Sequence, residues 1–86
     1  MNKRGSSELH LRQLTTENAL IQLEKFINDA FMAGLSRVKI IHGKGTGTLR
    51  RAIQGQLGQH SLVGSYYLAD HADGGAGVTI VELVLR

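Results

Sequence analysis

Cysteine is absent from this 86-residue sequence, so neither a disulfide nor a thiolate metal site can support its core. No stretch approaches the roughly 18 consecutive apolar residues of a membrane-spanning helix. The basic start, residues 1–7, is not followed by the apolar segment of a signal peptide, and we interpret it as a disordered leader or a cloning boundary. These absences argue against a disulfide-rich or membrane-spanning protein and fit a cytoplasmic location. The length allows one small domain, which we place at residues 8–86.

Positive charge is concentrated in the first part of the chain. Residues 1–51 contain nine of the ten Lys and Arg residues and have a net charge of +5, whereas residues 52–86 have a net charge of −2. Between Arg37 and Arg51 there are five basic residues and no acidic one. Such a cluster is typical of proteins that bind a polyanion. A solvated basic face explains the cluster equally well, so charge alone leaves both interpretations open.

The hydrophobic pattern predicts an α/β fold with the element order βαβαββ. Apolar residues recur at helical spacing after Thr15, a suitable N-cap, and Gly34 is well placed to end that helix. A second, shorter amphipathic helix follows Gly47. The first strand, helix and strand imply a parallel pair, and the loop of about eight residues before the last strand implies an antiparallel hairpin. We therefore expect a two-layer sandwich of two helices on a mixed four-stranded sheet, with strands at Glu8–Arg12, Arg37–Ile41, Gly64–Ala69 and Val78–Leu85.

A basic, glycine-rich turn joins the second predicted strand to the second predicted helix. The carboxyl ends of strands are where open α/β sheets usually bind ligands. Glycines let the backbone approach an anion closely, and the N-terminus of the following helix adds partial positive charge. We therefore predict a phosphate cradle, the alternative being a tight turn that happens to be basic. The predicted nucleic-acid and phosphate-binding residues are Gly43, Lys44, Gly45, Thr46, Gly47, Arg50 and Arg51.

The turn does not match known nucleotide-binding loops. In a P-loop the Gly-Lys pair is followed by Ser or Thr, but here Lys44 is followed by Gly45. The glycine spacing is also too short for a dinucleotide-binding turn. A small nucleotide-binding domain is therefore disfavoured.

Two further residues could act on a phosphate at this edge of the sheet. The ordinary pKa of histidine, about 6.5, suits His42 to proton exchange at neutral pH, although a histidine that only hydrogen-bonds the turn is as good an interpretation. Arg12 ends the first predicted strand. If the first two strands are adjacent and parallel, Arg12 emerges beside His42 and could clamp a phosphate bidentately; the alternative is a surface arginine paired with a helix acid. We take His42 and Arg12 as candidate catalytic residues.

The sequence offers no other catalytic arrangement. It contains no recognisable Ser, His and Asp set and no spaced acid pair of the kind that two-metal nucleases use. No residue is assigned to a metal, while Mg²⁺ or Mn²⁺ stays open as a cofactor for phosphodiester cleavage.

Tyr66 and Tyr67 point to opposite faces of one predicted strand, so we expect one in the core and the other free to stack on a base.

Three stretches of the sequence resemble the Smr (small MutS-related) domain family, in particular its form at the C-terminus of the recombination-suppressing bacterial MutS paralogue. They are Leu9–Gln13, Ala33–Gly47 and Gly74–Leu83. The resemblance implies a fold similar to the C-terminal domain of translation initiation factor three. It also implies binding of DNA, including branched DNA, or of RNA or the ribosome, and in many members a nicking endonuclease activity. The parent of such a domain would be a homodimer, while the isolated domain could be monomeric.

The first of these stretches departs from the family pattern. His10 stands where the family has an acidic residue, and Gln13 where it has glycine. Loss of a carboxylate would weaken cleavage if that acid orients Arg12 or water.

Two hypotheses about the function of the domain follow. In one, the domain nicks DNA: Arg12 holds the scissile phosphate, His42 moves a proton, and the Gly43–Gly47 amides stabilise developing charge. In the other, the same residues form a non-catalytic module that binds nucleic acid or the ribosome.

Overall fold

The structure, a computed structural model, describes residues 7–85 and confirms the predicted order of elements. The rest of the predicted leader, residues 1–6, lies outside the described residues. Ser7 already belongs to the sheet, since its carbonyl accepts a hydrogen bond of 2.8 Å from the Lys39 N–H. The strands and helices are β1 (Glu8–His10), α1 (Thr16–Met32), β2 (Arg37–Ile41), α2 (Thr48–Gly58), β3 (Val63–Leu68) and β4 (Val78–Leu83), with single 3₁₀ turns at His71–Asp73 and Gly75–Gly77.

The four strands form one mixed sheet in the order β1-β2-β4-β3. β1 and β2 are parallel, and β4 is antiparallel to both of its neighbours, which confirms the predicted parallel pair and hairpin. β1 is shorter than predicted. The Leu11 N–H still bonds the Ile41 carbonyl at 2.8 Å, but the chain then turns, with Gln13 in the left-handed region at φ 70°. Arg12 accordingly lies in the turn after β1 and not at the end of the strand itself.

Both helices pack on one face of the sheet and bury the main core there. α1 begins at Thr15, whose Oγ1 accepts a 3.1 Å hydrogen bond from the Asn18 N–H, and it ends just before Gly34 at φ 83°. Burial of each large aliphatic side chain contributes about 1.5–3 kcal/mol, and this packing sets where the helix N-termini meet the sheet edge. None of the described helices is long and apolar enough to cross a membrane. The core residues are Leu11, Ala19, Leu23, Ile27, Ala30, Val38, Ile40, Ile53, Leu57, Val81 and Leu83.

The opposite face of the sheet is polar around a small apolar centre. Arg37 on β2 pairs with Glu82 on β4 at 3.5 Å, and Lys39 pairs with Asp73 of the β3–β4 connection at 3.7 Å. The second pair ties that connection to the middle of the sheet. The apolar centre consists of Ala69, Val78 and Ile80, with Ile41 packed against them.

β3 is an edge strand, and its aromatic side chains are exposed. Tyr66 keeps 37% and Tyr67 keeps 43% of its surface accessible. The expectation that one of them joins the core is therefore wrong: Tyr66 lies against Gly58 at the end of α2 and stays partly open at the edge of the sheet. The Tyr67 hydroxyl donates a 2.8 Å hydrogen bond to the Glu82 carboxylate, and this bond raises the pKa of Tyr67.

Candidate nucleic-acid interface

Parallel pairing of β1 and β2 brings Arg12 and the glycine-rich turn to the same edge of the sheet. A Cβ placed on Gly43 would lie 3.4 Å from Arg12 Cγ and 3.5 Å from Arg12 Nε. The arginine side chain therefore runs along the Gly43 backbone. We expected Arg12 to emerge beside His42 if the first two strands were adjacent and parallel. β1 and β2 are such a pair, and Arg12 and His42 follow their ends.

The turn depends on glycine at three alternating positions. Gly43, Gly45 and Gly47 have φ values of 82°, 38° and 89°, all in the left-handed region that other residues rarely adopt. One carbonyl anchors the start of the turn, because Gly77 O accepts both the His42 N–H at 3.0 Å and the Gly43 N–H at 2.9 Å. The turn is thus folded tightly against the end of the β3–β4 connection.

The N-terminus of α2 gathers positive charge without an acidic partner among residues 7–85. Its N-cap is Gly47, which has no side chain to cap the helix, and its first turn contains no acidic residue. A Cβ on Gly47 would lie 3.1 Å from Arg50 Nη2 and 3.0 Å from Arg51 Nη1, so both guanidinium groups lie over the helix start. The helix dipole adds about half a positive charge at the same place. By contrast, α1 has a Thr15 cap and an acid, Glu17, in its first turn.

The basic cluster seen in the sequence divides into two groups in the structure. Arg37 and Lys39 are paired with acidic residues on the open face of the sheet. Within residues 7–85, the basic residues at the turn form no ion pair with an Asp or Glu. This unpaired group, which forms the cradle together with the glycines, consists of Arg12, Lys44, Arg50 and Arg51.

His42 lies beneath the turn, with only 4% of its surface exposed. Its Nδ1 is 2.9 Å from the Gly43 carbonyl oxygen, and its Nε2 is 2.8 Å from Thr79 Oγ1. Burial lowers the pKa of His42, more than the Gly43 hydrogen bond raises it, and the nearby Arg50 lowers it further. The ring is therefore neutral at physiological pH. Of the two interpretations open from the sequence, this geometry favours a histidine that holds the turn.

Two open depressions flank the turn and share Gly43, Lys44 and Gly45. Their volumes, about 420 Å³ and about 370 Å³, lie within the ~300–1,000 Å³ range of ligand sites. The turn forms the ridge between them, so Lys44 is next to both. The first is also lined by Arg12, Ile41, Gly74, Gly77 and Val78. The second is also lined by His42, by residues 13–16 at the start of α1 and by residues 46–50 at the start of α2.

The site includes residues to which the sequence interpretation assigned no role. Gly77 supplies the carbonyl that anchors the turn, and Gly74 lies so close to Val78 that a Cβ would approach its Cγ2 to 2.5 Å. Thr79 is fully buried beside His42. A signal for Thr79 was present: it is the polar residue among the inward positions of β4, where Val81 and Leu83 follow it.

The structure locates the departure from the family pattern at the open face of the sheet. His10 is exposed, and its Nε2 lies 3.7 Å from a Glu8 carboxylate oxygen. Within residues 7–85 no group of three or more His, Cys, Asp or Glu residues is placed to hold a metal ion.

Fold and site together define a class of protein: a small α/β domain with a basic, glycine-rich turn at one edge of a mixed sheet. Comparison with known proteins gives the family. The model of the Smr domain family matches residues 9–84. The chain therefore belongs to the Smr domain family.

Relatives and solved structures support this assignment. "Endonuclease MutS2" of Pelotomaculum thermopropionicum is 56% identical over 78 residues, and that of Geobacillus kaustophilus is 55% identical, each match covering 91% of this chain and 10% of the relative. The chain thus spans about a tenth of the length of these relatives. The crystal structure of the Smr domain of Thermus thermophilus MutS2 matches with a TM-score of 0.89 and 41% identity, covering 91% of this chain and 98% of that one. YdaL, a stand-alone small MutS-related protein from Escherichia coli, matches with a TM-score of 0.81 and 30% identity, covering 90% of this chain and 63% of that one.

Proposed function

We propose that this domain binds nucleic acid through the sugar-phosphate backbone, at the cradle formed by the turn Gly43–Gly47 and by Arg12, Arg50 and Arg51. The observation that carries the proposal is the uncompensated charge at the start of α2. Two guanidinium groups and the positive end of a helix dipole repel one another there, and the helix has no acidic side chain to relieve the repulsion. A phosphate group relieves it by accepting hydrogen bonds from all three.

The groups at the cradle suit phosphate recognition and carry little information about base sequence. Arginine and lysine head groups, threonine hydroxyls and helix N-termini are the groups that contact phosphates in nucleic-acid complexes. We therefore propose binding governed by backbone charge and shape, with affinity that falls steeply as salt increases. Branched DNA is one such target. A nucleic-acid partner also agrees with the cytoplasmic location expected from the sequence.

We further propose that the domain nicks the bound strand, which the name endonuclease given to the MutS2 relatives supports. Arg12 is the proposed ligand of the scissile phosphate. Lys44 and the turn backbone are placed to stabilise negative charge that develops on the phosphate oxygens. The role proposed for His42 is to hold the turn, and proton transfer by His42 remains a prediction. No step is assigned to a divalent cation, because the described residues offer it no ligand cluster.

A non-catalytic module is the second candidate, and His10 favours it. This exposed histidine replaces the acid expected in the first family motif, so the carboxylate of that motif is missing at its position. A site that retains the cradle and lacks the acid binds without cutting, with DNA, RNA or the ribosome as its target. Suppression of recombination by a homodimeric parent belongs to the first proposal and ribosome quality control to the second.

Incubation of supercoiled plasmid with the purified domain separates the two candidates. Nicked circles should form with the unaltered domain and disappear with Arg12→Ala, and parallel samples with EDTA report any need for a divalent cation. Lys25→Ala is the matched control, because it also removes one positive charge but lies on α1, where Lys25 pairs with Asp29 at 3.0 Å.

The outcomes point in different directions. Nicking that is lost with Arg12→Ala and kept with Lys25→Ala supports the endonuclease. Plasmid binding without nicking in any sample supports the module. Plasmid binding that is equal in the unaltered domain and in a Lys44→Ala, Arg50→Ala double variant would contradict the cradle itself.

A further inference from the structure

Three side chains form a hydrogen-bonded chain directly beneath the cradle. Gln54 Nε2 on α2 lies 3.2 Å from Thr79 Oγ1 on β4. The same Oγ1 lies 2.8 Å from His42 Nε2, and His42 Nδ1 lies 2.9 Å from the Gly43 carbonyl oxygen. Thr79 is fully buried. The chain therefore connects the helical layer, the sheet and the turn in one sequence of contacts.

The contacts give the neutral ring one arrangement of hydrogens. The Gly43 carbonyl can only accept, so Nδ1 carries the hydrogen and donates. Nε2 of a neutral ring must then accept, which makes the Thr79 hydroxyl its donor. The lone pairs that remain on Thr79 Oγ1 accept from the Gln54 amide. Both ring nitrogens of His42 and the Thr79 hydroxyl are thus hydrogen-bonded, as buried polar groups require.

A threonine at this place is informative, because its neighbours on the same face are apolar. Val81 and Leu83 follow at the next inward positions of β4 and are buried in the core. Valine has the shape of threonine and would avoid the cost of burying a hydroxyl. The hydrogen bond from the Thr79 hydroxyl to His42 explains why threonine and not valine occupies this position.

We propose that Thr79 is a positioning residue of the cradle: its hydroxyl donates to His42 Nε2 and so stabilises the Nδ1–H form of the ring, which in turn holds the Gly43 carbonyl. Gly77 already holds the Gly43 N–H, so the ring completes the fixation of the peptide groups on both sides of the Gly43 Cα. A turn with three glycines otherwise loses much backbone freedom when it binds, and fixing its first residue beforehand reduces that loss. The expected effect of Thr79 on phosphate binding rests on the proposed function. The tautomer of the His42 ring does not depend on that function.

Nuclear magnetic resonance of the ¹⁵N-labelled domain without ligand tests the ring directly. In the unaltered domain and in Thr79→Ser, Nδ1 of His42 should be protonated and Nε2 unprotonated at neutral pH. In Thr79→Val, which keeps the shape but removes the donor, both tautomers should be populated and the amide signals of residues 43–47 should shift. Ser65→Ala, which removes an exposed hydroxyl from β3, is the control and should change neither. An unaltered His42 ring spectrum in Thr79→Val overturns the proposal.

Gln54→Leu provides a second test that does not depend on the folding of the valine variant. It removes the outer donor and leaves the Thr79 hydroxyl, so the His42 ring signals should move part of the way toward those of a ring with both tautomers populated. If Thr79→Val does not fold, Gln54→Leu decides alone. His42 ring signals that are unchanged in Gln54→Leu then count against the proposal.

Binding of a labelled DNA oligonucleotide separates this proposal from the proposed function. Thr79→Val should bind about 3- to 10-fold more weakly, the loss expected for one hydrogen bond, and Thr79→Ser should restore binding to within about twofold. If the unaltered domain binds no DNA while the ring spectra behave as expected, the proposed function fails and the positioning role stands. If DNA binds but Thr79→Val binds it equally well, the positioning role fails alone.

Discussion

The Arg12 side chain lies along the Gly43 backbone, so close that a methyl group on Gly43 would be 3.4 Å from Arg12 Cγ. Two residues separated by 31 positions in the chain therefore share one corner of the proposed phosphate cradle. The contact exists because β1 and β2 are parallel and end at the same edge of the sheet. It links the first family motif to the glycine-rich turn and makes each sensitive to changes in the other.

Gly43→Ala should destabilise the domain and displace Arg12. The new methyl group meets the arginine side chain, and alanine at φ 82° costs about 1–2 kcal/mol in the left-handed region. The free energy of unfolding in urea should fall by that amount, and DNA affinity should fall with it. A variant as stable as the unaltered domain would show that the turn adopts another backbone conformation.

Gly55→Ala should have the opposite effect on stability. Gly55 lies within α2, is exposed, and has no atom within 4 Å of the place where a Cβ would be. Alanine there should raise the free energy of unfolding by about 0.5–1 kcal/mol, because glycine is the poorer helix former. DNA affinity should not change. The same urea titration measures both glycine variants. A loss of stability in Gly55→Ala would contradict a regular helical conformation at Gly55 in α2.

Removal of cradle charges should reduce the salt dependence of DNA binding. Each phosphate contact contributes about 0.9 to the slope of log affinity against log salt on duplex DNA. Lys44→Ala and Arg50→Ala should therefore each lower that slope by about one, and the double variant by about two. Lys25→Ala, far along α1, should leave it unchanged. Fluorescence anisotropy between low and moderate salt measures these slopes. Equal slopes for all variants would show that Lys44 and Arg50 do not contact the DNA.

His42 should make the domain less stable in mild acid. Its pKa is below the ordinary value of 6.5 in the folded state, so the unfolded chain takes up a proton first as pH falls. The contribution of the neutral ring is complete above pH 6.5 and is lost as pH drops from there through the lower folded-state pKa. Chemical denaturation from pH 8 down to about pH 5 should show this loss, and His42→Asn should show less of it. Parallel pH profiles for the two proteins would rule out a buried neutral ring.

Local features of the sequence predicted the elements and the place of the site. Helical spacing, the Thr15 cap and Gly34 located α1 to within one residue at its start and two at its end. The apolar character of Arg37–Ile41 placed β2 inside the sheet, and the order of elements implied the parallel pair. These features could be predicted because capping, periodicity and glycine conformation depend on residues close together in the chain.

Other features depend on which strands become neighbours. The length of β1 could not be predicted, because the turn at Gln13 replaces the last residues of a regular alternating pattern. The burial of a tyrosine was predicted wrongly, since nothing in the pattern of β3 shows that it lies at the edge of the sheet. The pairing of Arg37 with Glu82 follows from the register of β2 against β4, across 45 residues.

The sequence by itself determined the fold class and the glycine-rich basic turn that opens α2, because both are properties of contiguous residues. Only the tertiary structure decided which basic residues remain unpaired at the cradle and that His42 is buried with both ring nitrogens bonded. Those outcomes depend on contacts between β2, β4 and α2, which come together through burial of a common core. Thr79 beneath His42 shows the difference: one hydroxyl in an apolar strand acquires its role from a neighbour 37 residues away.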